Sequence, residues 1–550
     1  MVRTESEAYG LRRQNTSLLE SALYTSLRPA PMSAPAPVPA APDSLLRSAK
    51  TGDPLRTVLD WLAAPAAGDP GYEAAALATC LGVLAQARMD APARVRVLDI
   101  FHDRALACAT ALKPQLAASG LPVQATLRDA ADLLCDALMQ IARSYLDALQ
   151  ARAAHKPSRA AGHAMLCLLD VYALRTLTAA DVPPGMWTTA HALLMHARMM
   201  ATPATQIAGS ADAEQLHREL IALELAQPPH LAPADFFNIA DYVRSYSGAV
   251  QIQSNPPHRD LDSWFWIDDE HDHGPTPLLR AAPDPERGPH ILYCSCQRLG
   301  QVLAHHLDLI DEGGNVADMY LPACLGQTRT RRLLRRLQAR WMAMPRRQHA
   351  RRERGQAIRM LIGFDAIWHL LERRDPAADW DNQTTGWTLL NDSPNGFALR
   401  LDTGPTGLVR PGLPVLIKGS GSRNWMICVV RWARSASAGA IDVGVELLSH
   451  GAQAATVVFD ASGSRAAVPA LRLPPLTSLR PHPCIMLPPG EANGRDMLIA
   501  HNSGGRYRLG DARLSDLDLQ TQAFELFEIE EMSANTSGAS GGRSDPASRP

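Results

Sequence analysis

From about residue 49 to 227 the chain keeps one hydrophobic period, and it is that of a helix. In "AADLLCDALMQIARSYLDALQARAA" Leu133, Leu134, Leu138, Ile141, Tyr145 and Leu149 recur at steps of three and four. They therefore share one stripe of a helix with 3.6 residues per turn. "AGHAMLCLLDVYALRTLTA" and "GMWTTAHALLMHARMM" repeat the pattern, and Pro183, Pro184 and Gly185 break the chain between them. Each stripe must be covered by another element, so antiparallel helix pairs are predicted. Much of the 46% hydrophobic content is alanine and only 5% of residues are aromatic, so these helices pack through small side chains. Beyond about residue 387 the text changes. "WTLLNDSPNGFALRL", "PVLIKG", "WMICVVRWAR" and "IDVGVELLS" read as strands with short turns. A chain that switches period in this way is a multidomain α+β protein.

Finer divisions follow from composition. Residues 1–48 end in "LRPAPMSAPAPVPAAPDS", where alternating Pro and Ala build neither a helix ladder nor a core. They are a disordered leader, and the Ser/Gly-rich 533–550 is a matching tail. The all-α region is 49–227, with segment lengths like those of tetratricopeptide repeats but no clean period. Residues 228–325 read as a small α+β region, in which "LDSWFWIDDEHDHGP" is a strand and an acidic turn and "ILYCSCQRLGQVLAHHLDLIDEG" is a strand and a helix. Residues 456–532 read as a further small β region.

Several function classes are excluded by what is missing. The formal net charge is −2, so attraction for a polyanion is at most local. No run of about 18 apolar residues occurs, so no membrane span is expected, and the charged N-terminus is no secretory signal. Nine scattered cysteines in apolar patterns fit a reducing compartment and a cytoplasmic location. Cys294 and Cys296, two apart on a strand face, have the wrong spacing for a zinc knuckle. The acidic turn at Asp268–His273 is read as solvated, since consecutive loop ligands rarely converge on one ion. No metal or cofactor is expected. Nor is catalysis, because there is no P-loop, dinucleotide loop or triad motif. His501 and Asp511 lack a nucleophile and are read as surface residues.

Arginine is concentrated in two adjoining stretches. "TRTRRLLRRLQARWMAMP" (328–345, within a 326–345 segment) is an amphipathic helix with Leu333, Leu337, Trp341 and Met344 as its apolar stripe, ended by Pro345. Arg332, Arg336 and Arg340, with Arg331 and Arg335, are read as its solvated face. Nucleic-acid binding would need aromatic platforms nearby, and none is present. The second stretch is "RRQHARRERGQ", which precedes the β region.

"RRQHAR" and "NDSPNG" together resemble the two signatures of the PilZ domain, RxxxR and [D/N]xSxxG. Here they are Arg347 and Arg351, led by Arg346, and Asn391, Ser393 and Gly396. "VVRWAR" and "DVGVELL" resemble the late strands of the same domain, and the likeness covers 346–455, a fifth of the chain. The resemblance implies a six-stranded barrel that binds cyclic di-GMP. The residue types suit that ligand. Arginine stacks on a guanine face and forks onto phosphate or the O6/N7 edge, while Asn391 and Ser393 offer hydrogen bonds. Gly396 permits positive φ and a close backbone approach. The two motifs are 40 positions apart, further than is usual for the family, and the interval around 364–388 reads as a short helix and loop that either caps the ligand or occupies its site.

The expected protein is thus a non-enzymatic cyclic di-GMP receptor whose helical half docks an unidentified protein partner, with output in motility, type IV pili, biofilm or virulence. The alternatives are a nucleic-acid-associated protein using the arginine helix, or a scaffold with a degenerate, ligand-free barrel.

Overall fold

The structure, a computed structural model, describes residues 53–532 apart from 67, 201–212, 322–326, 343–349, 374–379, 420–424, 438, 460–466, 477–479 and 504–505. The leader and tail inferred from composition lie outside the described residues. The chain divides into two compact units: Met1–Arg351 with Arg400–Pro411 and Arg431–Gly444, and Arg352–Leu399 with Gly412–Val430 and Val445–Pro550.

The first unit opens with helices α1 (Pro54–Ala63), α2 (Pro70–Gln86), α3 (Ala91–Ser119), α4 (Ala125–Gln150) and α5 (Pro157–Leu177). The first three start alike, with an aspartate followed by a proline in the first turn. Asp53, Asp69 and Asp90 accept from the backbone N–H groups of Leu55, Gly71 and Ala93 at 3.0, 3.0 and 2.8 Å. Each carboxylate satisfies an orphan donor, and the proline sits where its missing N–H costs nothing. Helix α4 is the hub, packed on α2, α3 and α5. Of its predicted stripe, Leu134, Leu138, Ile141, Tyr145 and Leu149 are buried and Leu133 is half-buried. Fully buried alanines such as Ala76, Ala109 and Ala142 let the backbones approach closely.

Helices α6 (Met186–Met200), α7 (Ala213–Leu225) and α8 (Pro233–Tyr246) follow the Pro-Pro-Gly break. The acidic turn is not merely solvated. Asp272 accepts from the N–H groups of Trp187 and Thr188 at 3.0 and 3.2 Å and so caps α6 from far along the chain. Asp268 accepts two hydrogen bonds from Arg287, at 2.8 and 2.9 Å. Among the described residues no group of three or more His, Cys, Asp or Glu is arranged to hold a metal ion. His191, on α6, is completely buried, with Nε2 3.1 Å from the His273 carbonyl and Nδ1 3.0 Å from His217 Nε2. A carbonyl only accepts, so His191 carries its proton on Nε2 and His217 donates to Nδ1.

A four-stranded antiparallel sheet completes this region: β1 (Gln251–Gln253), β2 (Trp264–Asp268), β3 (Thr276–Pro277) and β4 (Ile291–Ser295), in the order β1-β4-β2-β3. Cys294 lies in β4, but Cys296 is past its end as the N-cap of α9 (Gln297–Asp311), so the two thiols do not share a strand face. Helix α10 (Gln327–Met342) is the arginine helix. Leu333, Leu337 and Trp341 are buried as predicted, whereas Met344 and Pro345 lie outside the described residues. Its basic face is only partly solvated: Arg335 is exposed, but other arginines of the helix are engaged. Arg329 pairs with Asp235 at 2.8 Å and Arg331 with Asp311 at 2.5 Å. Arg336 donates to the His230 carbonyl and Arg340 to Gln227 Oε1. The arginines fasten α10 to neighbouring elements, which the spacing alone did not reveal. Also in this unit, Val409 and Leu121 exchange both backbone hydrogen bonds at 2.8 Å, and Ser435 N–H donates to the Ala179 carbonyl at 2.6 Å.

The β region holds two closed six-stranded barrels. The strands of the first are β5 (Arg352–Ile362), β6 (Thr385–Ser393), β7 (Gly396–Leu401), β8 (Pro414–Gly419), β9 (Met426–Ser437) and β10 (Ala440–Ser449). Those of the second are β11 (Gln453–Phe459), β12 (Ala467–Leu473), β13 (Cys484–Leu487), β14 (Asp496–Ser503), β15 (Arg506–Gln520) and β16 (Glu525–Glu531). What the sequence presented as a small β region is therefore a complete barrel. Between β5 and β6 come helices α11 (Phe364–Glu372) and α12 (Trp380–Gln383). Phe364, Ile367 and Leu370 of α11 enter one apolar core with Leu416 and Val429 of the first barrel and Leu471, Met486 and Leu526 of the second. Trp368 Nε1 donates to the Ala455 carbonyl at 2.8 Å. The inserted helix thus enters a core shared by both barrels. It is the packing between two barrels.

Candidate ligand site

Strands β6 and β7 are joined by Pro394 and Asn395, so Asn391, Ser393 and Gly396 surround one tight turn. Ser393 Oγ donates across it to the Gly396 carbonyl at 3.2 Å. Gly396 is required by space. A β-carbon there would lie 2.2 Å from the Val445 carbonyl oxygen, and Gly396 is absent from the residues with positive φ. The sequence expectation of a positive-φ glycine is corrected on this point, and the close approach accounts for the residue. Leu447 N–H donates to the Asn395 carbonyl at 2.9 Å, tying the turn to β10.

The arginine lead-in meets this turn through strand pairing. Antiparallel register places Arg352 opposite Asp392 and Glu353 opposite Asn391, with a bulge before Gln356. The 40-residue separation in sequence is closed by two adjacent strands. Arg351 is exposed and directly precedes β5. Arg346 and Arg347 lie outside the described residues. Pairing of β5 with β8 starts only at Ile358, and residues 352–357 are exposed. That half-paired stretch leaves backbone and guanidinium groups accessible beside the turn. Asn391 and Ser393 are half-buried.

Two residues outside the motif positions join the site. Arg354 pairs with Asp392 Oδ2 at 3.2 Å. Asp392 Oδ1 is buried and has no hydrogen-bond partner among the described residues. Asp392 occupies the unspecified position of its motif, so only the strand register points to it. The arrangement offers a cationic arm, an amide, a hydroxyl and an unsatisfied carboxylate oxygen around one turn. Such a set recognises a compact ligand bearing both phosphate and hydrogen-bonding bases.

Two family models match the chain. Residues 56–258 match the N-terminal domain of the cyclic-di-GMP receptor FimW, and residues 372–454 match the middle PilZ domain of the same receptor. The second match covers β6 to β10 and leaves out the arginine lead-in and the second barrel. None of the curated proteins matches the chain. The helical region and the first barrel thus match two domains of one cyclic-di-GMP receptor family: the chain carries a PilZ domain behind a helical N-terminal region similar to that of FimW.

Proposed function

We propose that this chain binds cyclic di-GMP through Arg346, Arg347 and Arg351 together with Asn391, Ser393 and Gly396, and passes the event to a protein partner on its helical region. The observation that carries the reading is the β5–β6 register, which sets the arginine end of β5 beside Asn391 and Asp392. The guanidinium groups stack on guanine and fork onto phosphate, Asn391 pairs with a base edge, and Ser393 supplies a hydroxyl. Coupling is supported by chain continuity. Strand β7 ends at Leu401, and eight residues later in the chain Val409 bonds Leu121 within the first unit. The helices, with segment lengths like tetratricopeptide repeats, serve as the docking surface, and the output is control of motility, type IV pili, biofilm or virulence from the cytoplasm. No helix among the described residues is long and apolar enough to cross a membrane. The protein acts as a receptor without catalysis. A nucleic-acid role for α10 is disfavoured, because its arginines already hold Asp235, Asp311, His230 and Gln227.

Calorimetry with cyclic di-GMP tests the proposal. The wild type should bind at micromolar affinity or tighter. Arg347→Ala/Arg351→Ala should lose at least 30-fold, since hydrogen bonds to charged groups contribute about 1.5–3 kcal/mol each. Absence of heat in the wild type would overturn the site.

A further inference from the structure

The two barrels have one connectivity. In the first, the ring runs β10-β7-β6-β5-β8-β9, and in the second β11-β12-β13-β16-β15-β14. Numbered within each barrel, both rings read first, second, third, sixth, fifth, fourth. The second barrel therefore repeats the topology of the PilZ barrel, although its sequence carries neither motif. The places where the motifs would stand have other contents. Strand β11 begins only three residues after β10 ends, at His450, Gly451 and Ala452, which leaves no room for an arginine lead-in. The connection between second and third strands, which is the ligand turn in the first barrel, is here 474–483.

That connection is fastened to β10. Leu476 and Arg480 exchange backbone hydrogen bonds at 2.8 and 2.7 Å, closing the loop on itself. Ser449 Oγ donates to the Pro474 carbonyl at 2.8 Å. The Arg480 side chain is only 11% exposed and reaches Asp518 Oδ2 at 2.5 Å, the Leu447 carbonyl at 3.4 Å and Glu446 Oε1 at 3.7 Å. Residues 445–447 of β10 are the same ones that meet the ligand turn, through Val445 against Gly396 and Leu447 N–H to Asn395. One short stretch of strand is thus held by the ligand turn through Val445 and Leu447 and by Arg480 through Glu446 and Leu447. A planar guanidinium with several fixed donors is needed to reach a carboxylate, a carbonyl and a second carboxylate at once, which an ammonium does less well.

We infer that the second barrel is a topological repeat of the PilZ barrel whose own ligand turn has become a brace, with Arg480 a positioning residue for the cyclic di-GMP turn, leaving one ligand site per chain. This rests on the site proposed above. It is tested on the full chain by calorimetry with cyclic di-GMP and by hydrogen exchange of ligand-free protein over 445–447. The wild type should bind one ligand site's worth of cyclic di-GMP. Arg480→Met should raise Kd about tenfold and speed exchange of the Leu447 amide at least tenfold, and Arg480→Lys should restore part of both. Arg513→Met, which removes an exposed pair with Asp496 on the same barrel, should change neither. If Arg480→Met does not fold, Asp518→Asn loosens the same guanidinium and should shift both readouts in the same direction. A folded Arg480 or Asp518 variant with wild-type exchange and wild-type Kd would overturn the brace, as would a second ligand site mapping to 474–483. Failure of the wild type to bind would remove the ligand site while the exchange data still judged the brace.

Discussion

At Gly396 the neighbour that a methyl group would strike is a backbone oxygen, which has no rotamer to yield. We expect Gly396→Ala to lower unfolding free energy by about 1–3 kcal/mol in urea titration, the usual cost of overpacking, and to weaken cyclic di-GMP binding with it. Ser393→Ala removes only a 3.2 Å hydrogen bond within the turn and should cost about 0.5–1.5 kcal/mol. Both motif residues were visible in the sequence through their resemblance to the second PilZ signature. Asp392, just before Ser393, was not, since its buried, unsatisfied oxygen depends on what the strand beside it brings. The glycine was visible for an incomplete reason: sequence shows that a small residue is needed, whereas only strand packing shows that β10 requires it.

Among elements, α11 carries the clearest consequence. Its apolar residues looked like an insertion because nothing nearby in sequence needed covering. Their partners, Leu471, Met486 and Leu526, are about a hundred or more residues away. Ile367 is fully buried there, so Ile367→Ala should cost about 2–5 kcal/mol in denaturant unfolding through lost burial and a cavity. Helix α10 shows the same limit from the polar side. Its existence and apolar stripe were legible from period alone, but the fate of its arginines was not. Electrostatic partners such as Asp235 and Asp311 are chosen by tertiary packing, and no periodicity encodes them.

For the molecule as a whole, His191 and His217 predict a pH dependence. Burial, opposed in part by the hydrogen bond to His273, pushes His191 down to about 4, and burial also lowers His217. In an unfolded chain histidine titrates near 6.5, so between about 6.5 and 4 the unfolded state binds more protons. Stability is therefore fully present above about pH 6.5 and falls as pH drops toward 4, by roughly 3 kcal/mol for His191 alone at 1.36 kcal/mol per pH unit. Urea midpoints at pH 7.5, 6 and 5 check the slope, and His191→Gln should flatten it. Coupling makes a second global prediction. Val409→Pro removes the N–H that bonds Leu121, and should leave cyclic di-GMP affinity within about threefold of wild type while abolishing any ligand-induced change in hydrogen exchange over 121–123. At this scale the sequence disclosed the helical half and one barrel. The second barrel read as loose strands because its topology lies in the pairing order, which a list of strands does not contain.

The three residues between β10 and β11 also bear on synthesis. When Ser449 leaves the ribosome every strand of the first barrel exists, yet Phe364, Ile367, Leu370 and Leu416 still lack the surface that covers them. The remaining strands take on the order of 4–16 s to appear at about 5–20 residues per second. Through that interval this flank of the PilZ barrel lacks Leu471, Leu473, Cys484, Met486, Phe524 and Leu526, so its core is completed only once the second barrel has been made.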